Sequence, residues 1–340
     1  MWRWRPGRSA RGWPVRRRVL VLTSAGLAVL VAATVALVVG TTSEQHGGYR
    51  TGRITILTGG TQGIYYQYGE QLAAAVNARL RGVHADVLAT DASVDNMRRV
   101  ALGPNVFAFT AADAASAAVA GRSPFAQPVP IRALARIYDD YMHLVVRASA
   151  PIHDITDLRG ERVSIGSDGS GTQLIVRRLL DVAGVSLRSL TAKPLSIDDS
   201  IAALERGDID AFFWSGGLPT AGITTLSERS SVRLVPLGQL ATPLHQLDTA
   251  YQAESIPADT YPRMKDPADT STVAVPDLIV TRADTDPGLV EQITRILFEA
   301  SGEIAATVPV ASALDRRVAI STEPVPLATG ALRYYRSTKI

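Results

Sequence analysis

The sequence contains no cysteine, which excludes disulfide bonds, a lipidated N-terminal cysteine and thiolate chemistry. No acid and base can be nominated whose environments would separate their pKa values, as general acid-base catalysis requires. Histidine is scarce, and the five that occur do not have the spacing of metal ligands: His46, His84, His143, His153 and His245. We therefore predict no metal site, no catalytic residue and no cofactor.

Positive charge is sparse outside the N-terminus. Seven of the 35 Lys and Arg residues precede Glu44, the first acid, so from there onward 28 basic residues stand against 32 acidic ones. A basic face for nucleic acid is therefore not expected. The adjacent acids Asp139-Asp140 and Asp198-Asp199 are typical of solvated turns or helix N-termini, where negative charge is stabilising.

A run of 22 uncharged residues, 19–40, directly follows the seven arginines. As a helix it is long enough to cross roughly 30 Å of hydrocarbon. The arginines should remain cytoplasmic, which places the body outside as a single-pass protein of the cell membrane. A cleaved signal usually has a shorter apolar core of roughly 7 to 15 residues and a small-residue exit site. An uncleaved anchor is favoured, and a cleaved signal with a secreted body is the alternative.

Beyond residue 41, strand-like and helix-like runs alternate, with strands expected at 131–137, 143–147 and 277–281. This order predicts an α/β fold with a parallel sheet and helices on both faces. Two such series with a late return of the chain predict two lobes. The expected segments are a basic cytoplasmic segment (1–18), a transmembrane anchor or signal peptide (19–40), a linker (41–52), lobe 1 (53–147 plus 272–340) and lobe 2 (148–271).

The stretch "TGGTQGIYYQYG", residues 58–69, lies between a predicted strand and a predicted helix. Glycines in this position allow backbone amides and a helix N-terminus to approach an anion. A Walker A loop would need a lysine, which is missing here, and a dinucleotide fingerprint would need a different glycine spacing. The stretch is therefore either a simple turn or part of a binding cleft.

Two further loops repeat this arrangement. "TDASVDNMRR", residues 90–99, offers Ser93 as a helix N-cap or a polar cleft residue. "SIGSDGSGTQLIVRRLL", residues 164–180, surrounds Ser170 with glycines, but the glycine positions of a nucleophile elbow are occupied by Asp168 and Thr172. Amides and hydroxyls at a helix start suit the binding of a carboxylate without chemistry on it.

A fourth loop follows a predicted strand in "GDIDAFFWSGGLPTAGI", residues 207–223. Pro219 fits the first turn of a helix, where its missing N–H costs nothing. Trp214 at the end of the strand is either core packing or one wall of a cleft.

Taken together, the loops give the chain a resemblance to the TAXI-type solute-binding proteins of tripartite ATP-independent periplasmic (TRAP) transporters. The resemblance covers about residues 53–337. It rests on eight stretches in the order of that family: "TGGTQGIYYQYGEQLA", "TDASVDNMRR", "IYDDYMHLVVR", "DLRGERVSIGSDGSGT", "GDIDAFFWSGGLPTAGI", "IPADTY", "VAVPDLIVTR" and "PVPLATGALRYYRS".

The resemblance implies a type II periplasmic-binding-protein fold, in which two α/β lobes joined by a hinge close over a small carboxylate solute. The solute would be an acidic amino acid or a dicarboxylate, and the partner a TRAP-type membrane permease. Carried over by motif, the ligand-binding residues are Thr61, Gly63, Tyr65, Ser93, Asn96, Ser170, Gly171, Thr172, Gln173, Trp214, Gly217 and Pro219.

The chain departs from the family at two places. Ala328 replaces a histidine that is usual in the C-terminal motif, and Asp91-Ala92 stands where glycines are common, which adds negative charge near the cleft. A receptor for a small carboxylate is the leading hypothesis. The alternatives are a membrane-anchored sensor or scaffold on the same fold, and an enzyme, which would need an acid-base pair in the cleft.

Overall fold

The computed structural model describes residues 1–2, 49, 52–61, 63–265 and 267–338. The chain divides into two units, Met1–Gly48 and Tyr49–Ile340, and the elements below belong to the second. The predicted segments 1–18 and 19–40 and most of the linker 41–52 lie outside the described residues. Among the helices that the structure describes, none has the length and apolarity needed to cross a membrane.

One mixed sheet runs through the second unit in the order β2-β1-β3-β10-β4-β7-β5-β6, with β8 added to β4 and β9 added to β10. The strands are β1 (Gly52–Leu57), β2 (Val83–Leu88), β3 (Val106–Ala111), β4 (Ile131–Arg147), β5 (Arg162–Ser164), β6 (Thr191–Lys193), β7 (Ala211–Gly216), β8 (Val232–Leu234), β9 (Gln252–Ile256) and β10 (Thr270–Arg282).

Helices follow most of the strands, which confirms the predicted α/β class. They are α1 (Ile64–Arg79), α2 (Ser93–Val100), α3 (Ala112–Ala120), α4 (Gly171–Val182), α5 (Ile197–Arg206), α6 (Ala221–Arg229), α7 (Ala241–Leu247), α8 (Pro287–Glu299), α9 (Ser301–Thr307), α10 (Arg316–Ala319) and α11 (Thr329–Ser337).

The prediction of a parallel sheet is wrong at its centre. β1, β2 and β3 are parallel, as are β5, β6 and β7, but β10 is antiparallel to both β3 and β4, and β4 is antiparallel to β7. The predicted strands 131–137 and 143–147 are one continuous strand of 17 residues. β4 and β10 therefore extend through both halves of the sheet and join them.

Alternation along the strands fills cores on both faces of the sheet. On one face Ile54, Ile56 and Phe107 pack against the buried sides of α1, α8 and α11. On the other face Leu57 and Ala108 pack with residues of α2, α3 and α4. Because each fully buried large side chain stabilises the fold by about 1.5–3 kcal/mol, these faces hold the strand ends in fixed positions.

Candidate ligand-binding cleft

A cavity of about 360 Å³ opens between the two halves of the sheet, a volume within the range of small-molecule sites. Strand ends and helix N-termini from both halves surround it. Its lining comprises Gly59, Gly60, Thr61, Gly63, Ile64, Tyr65, Thr90, Asp91, Ala92, Ser93, Ala111, Tyr138, Asp140, Gly166, Ser167, Ser170, Gly171, Thr172, Leu195, Ser196, Ile197, Asp198, Trp214, Ser215 and Gly216.

Three predicted residues of the first loop, Thr61, Gly63 and Tyr65, line this cavity. The Tyr65 ring stacks on Phe109 with centroids 5.4 Å apart, and its hydroxyl donates to Asp277 Oδ1 at 2.6 Å. Burial and the adjacent Asp277 raise the pKa of the Tyr65 phenol. Tyr65 therefore forms a wall of the cavity, while its hydroxyl proton is already engaged by the protein.

Of the two predicted residues in the second loop, one lines the cavity and the other does not. Ser93 lines the cavity, but it is the first residue of α2 and not its N-cap, which is Ala92. The Ser93 hydroxyl accepts the N–H of Ala111 at 3.1 Å. Asn96 is fully buried outside the cavity, where its amide donates to the carbonyl of Thr58 at 2.6 Å. Asn96 ties the first two loops together and does not reach the cavity.

Ala92 has a backbone conformation that favours glycine, with φ 68° and ψ −143°. A side chain at such a position costs on the order of 1–3 kcal/mol, and glycine avoids that strain at a smaller entropic cost in the unfolded chain. We expect Ala92→Gly to raise the free energy of unfolding by about 1 kcal/mol. Urea unfolding at constant pH measures the change, and a variant less stable than the parent would contradict the strain.

The third loop places Ser170, Gly171 and Thr172 on the cavity and Gln173 outside it. Ser170 is the N-cap of α4, and its Oγ accepts the N–H of Gln173 at 3.1 Å. The Gln173 side chain donates to Asp168 Oδ1 at 2.8 Å, on the exposed side of the loop. The first amides of α4 have no intrahelical acceptor, so those of Gly171 and Thr172 are available at the cavity wall.

The second and third loops meet across the cavity. The amides of Val94 and Asp95 both donate to the carbonyl of Gly169, at 3.1 and 3.3 Å. A Cβ added at Gly171 would lie 2.8 Å from Ser93 Oγ. These contacts close one edge of the cavity. Because they occupy the first-turn amides of α2, those amides are not free to bind an anion.

In the fourth loop only Trp214 of the three predicted residues lines the cavity. Its indole N–H donates to Thr220 Oγ1 at 3.1 Å, which fixes the ring as a wall. A Cβ at Gly217 would lie 2.9 Å from the Val310 side chain, so this glycine serves packing. Pro219 follows a cis peptide bond and precedes α6, so it lies before the helix and not in its first turn.

The prediction of a solvated turn at Asp139-Asp140 is wrong for Asp140. Both residues lie within β4; Asp139 faces outward to Arg136 at 2.7 Å, whereas Asp140 is 8% exposed and lines the cavity. Burial raises the pKa of the Asp140 carboxyl to about 7, and the proximity of Asp277 and Ser215 offsets part of that rise. Asp198-Asp199, by contrast, lies in the first turn of α5, as predicted.

Asp277 forms a carboxyl pair with Asp140. It is fully buried in β10 opposite Tyr138 of β4, beside an irregularity in the register. Burial and the charge of Asp140 raise its pKa well above the usual range. Two carboxyls this close in an apolar surrounding do not both ionise, so the pair retains a proton near neutral pH. Their nearness depends on the pairing of β4 with β10, which no local pattern in the sequence reveals.

Comparison with solved structures shows a shared fold at low sequence identity. The periplasmic binding protein BugD is 14% identical and superimposes with a TM-score of 0.53 over 85% of this chain and 94% of its own. XAC2383 from Xanthomonas citri, in a structure bound to ATP, is 14% identical with a TM-score of 0.51 over 85% and 99%. The second unit thus has the α/β fold of periplasmic binding proteins.

A sequence profile described as the NMT1-like family matches residues 56–338, which include every loop around the cavity. The chain therefore belongs to the NMT1-like family.

Proposed function

We propose that the protein is an extracytoplasmic receptor that captures a small carboxylate-bearing solute in this cavity. The observation that carries the proposal is the start of two long helices at the cavity, α1 after Gly63 and α4 after Ser170, both without an acid in the first turn. Free amides and the helix dipole favour a negative group at such ends. A solute carboxylate matches this part of the cavity.

Capture proceeds by closure of two lobes, 53–147 plus 272–340 and 148–271, about a hinge in the strands that join them. β4 and β10 run through both halves, and the Val94 and Asp95 contacts to Gly169 are the kind that closure would form. Binding energy from both halves favours the closed arrangement over the open one. Of the twelve predicted residues, eight lie on the cavity wall; Asn96, Gln173, Gly217 and Pro219 support it from outside.

The finer assignment follows the resemblance in the sequence. The receptor is of the TAXI type, its partner is a TRAP-type permease, and the segment 19–40 anchors it outside the cytoplasm. The acidic amino acid or dicarboxylate class is the solute that this assignment implies. A sensor or scaffold on the same fold is the alternative, and uptake of the solute by cells with and without the chain separates the two.

Replacement of Ser170 and Thr172 by alanine tests the carboxylate site. Ser170 Oγ caps α4, and Thr172 Oγ1 accepts the N–H of Ser215 at 3.3 Å, so both hydroxyls orient the amides that would hold the anion. We expect the double variant to bind carboxylates at least about tenfold more weakly, since an N-cap alone is worth roughly 1 kcal/mol. Titration calorimetry of the full-length chain measures this, with Ser312→Ala, an exposed serine that does not line the cavity, as control. Unchanged affinity would contradict the site.

A further inference from the structure

Four buried side-chain atoms among the described residues lack a hydrogen-bond partner: Tyr68 Oη, Tyr138 Oη, Ser215 Oγ and Asp277 Oδ2. Three of these four belong to residues around Asp140. Tyr138 stands two residues before Asp140 in β4. Asp277 of β10 is opposite Tyr138, and Ser215 of β7 is opposite Met142, two residues after Asp140 in β4. Because side chains alternate along a strand, Tyr138, Asp140, Asp277 and Ser215 share one face of three adjacent strands.

Buried polar groups in proteins are nearly always satisfied, so a cluster of unsatisfied ones at a cavity wall indicates a missing partner. Tyr138, Asp140 and Ser215 all line the cavity, and each is less than a tenth exposed. Asp140 also interacts with Asp277 and Ser215, but these interactions leave further acceptor positions on its carboxylate. The cluster offers several acceptor oxygens in one place.

The charged side chains among the described lining residues of the cavity are all acidic. Three acids, Asp91, Asp140 and Asp198, line it, and among the described lining residues none is Arg, Lys or His. Three of the five helices that begin at the wall, α2, α3 and α5, already carry acids in their first turns. Only α1 and α4 begin without one, and the described lining offers no cationic side chain to neutralise a second carboxylate, so the cavity favours a solute with one carboxylate.

From these observations we propose that the solute is a zwitterion whose ammonium group binds at Asp140, between Ser215 and Tyr138, while its single carboxylate lies at the start of α4. An ammonium has three N–H donors and satisfies the carboxylate together with the two hydroxyl oxygens. The proposal rests on the proposed function and narrows it. It favours amino acids over dicarboxylates, and among amino acids those without a second carboxylate.

The test compares matched ligands by titration calorimetry on the full-length chain. Each standard L-amino acid is paired with the carboxylic acid that lacks only its amino group, such as 4-methylpentanoate for leucine and succinate for aspartate. We expect at least one neutral amino acid to bind, and its amino-free partner to bind at least about a hundredfold more weakly, as expected when a buried charge is left unpaired.

Variants locate the ammonium site. Asp140→Asn should weaken the amino acid at least about thirtyfold and leave the amino-free acid nearly unchanged, which follows from loss of a charge-assisted bond. Asp139→Asn, a change of the same chemistry on the neighbouring residue outside the cavity, should bind like the parent. Ser215→Ala is the second variant should Asp140→Asn fail to fold. We expect it to weaken binding of the amino acid about tenfold and to leave binding of the amino-free acid unchanged.

The outcomes separate the two proposals. If amino-free carboxylates bind as tightly as amino acids, or if Asp140→Asn and Ser215→Ala both leave the preference for amino acids unchanged, the ammonium site is overturned while the carboxylate receptor stands. If neither kind of compound binds the folded parent chain, the proposed function itself fails.

Discussion

Replacement of Gly330 by alanine is expected to lower the free energy of unfolding by about 3 kcal/mol, since overpacking against rigid backbone is costly. Gly330 lies in α11, where this helix packs against α8. A Cβ at Gly330 would overlap the Pro287 carbonyl oxygen and lie 2.6 Å from the Glu291 nitrogen. Both atoms belong to helix backbone, so the helices must move apart.

The matched control is Gly302→Ala in the neighbouring helix α9. A Cβ at Gly302 would meet no atom within 4 Å, so alanine should be neutral or stabilising by up to about 1 kcal/mol. Urea unfolding of the full-length variants gives both values. If the two substitutions change the unfolding midpoint by the same amount, the close approach of α11 to α8 is not the reason for this glycine.

The stability of the protein without solute should fall as the pH rises from about 4 to about 7. The pKa of Asp140 is raised to about 7 by burial, and that of Asp277 is also raised, by burial and by the charge of Asp140. Both folded-state values exceed the unfolded value of about 3.9, so the folded chain binds more protons. The two protons stabilise the fold fully at pH values below the unfolded-state pKa. The stabilisation is lost as the pH rises through the folded-state pKa, by at most about 1.4 kcal/mol per pH unit for each proton.

Asp140→Asn removes the carboxylate that would have to ionise. We expect the variant to have a shallower slope of unfolding free energy between pH 5 and pH 7 and to exceed the parent at pH 8 by roughly 2 kcal/mol. Asp139→Asn should change the slope less, because Asp139 is paired with Arg136 and its charge is only one of the smaller causes of the raised Asp140 pKa. Parallel curves for Asp140→Asn and the parent would show that the pair does not carry the pH dependence.

Sequence patterns predicted the parts of the cleft that depend on local structure. The glycines, serines and threonines of residues 58–69 and 164–180 stand between a strand and a helix, and the structure places members of both at the cavity. Such loops are recognisable because glycine freedom and helix capping act within a few residues. The side-chain roles were harder to predict, since the hydroxyl of Tyr65 and the amide of Asn96 are engaged by distant groups.

The centre of the sheet could not be predicted from local patterns. Two adjacent acids in "YDDY" are typical of a turn, yet β4 continues through them because this part of the strand pairs with β10, with Asp139 opposite Pro276 and Asp140 opposite Val275. Pro276 argues against a strand interior, so the predicted strand began at residue 277. In the structure β10 already begins at Thr270 and includes Pro276 opposite Asp139, next to the register irregularity. Both errors have the same cause, a pairing between segments far apart in the chain.

The most direct test of the proposed receptor identifies what the cavity retains. The full-length chain is dialysed against a metabolite extract, freed of unbound compounds, denatured, and the released small molecules are measured by mass spectrometry. We predict about one carboxylate-bearing molecule per chain, as expected for a single site, and much less from the Ser170→Ala, Thr172→Ala variant. Retention of no carboxylate, or equal retention by the variant, would contradict the account.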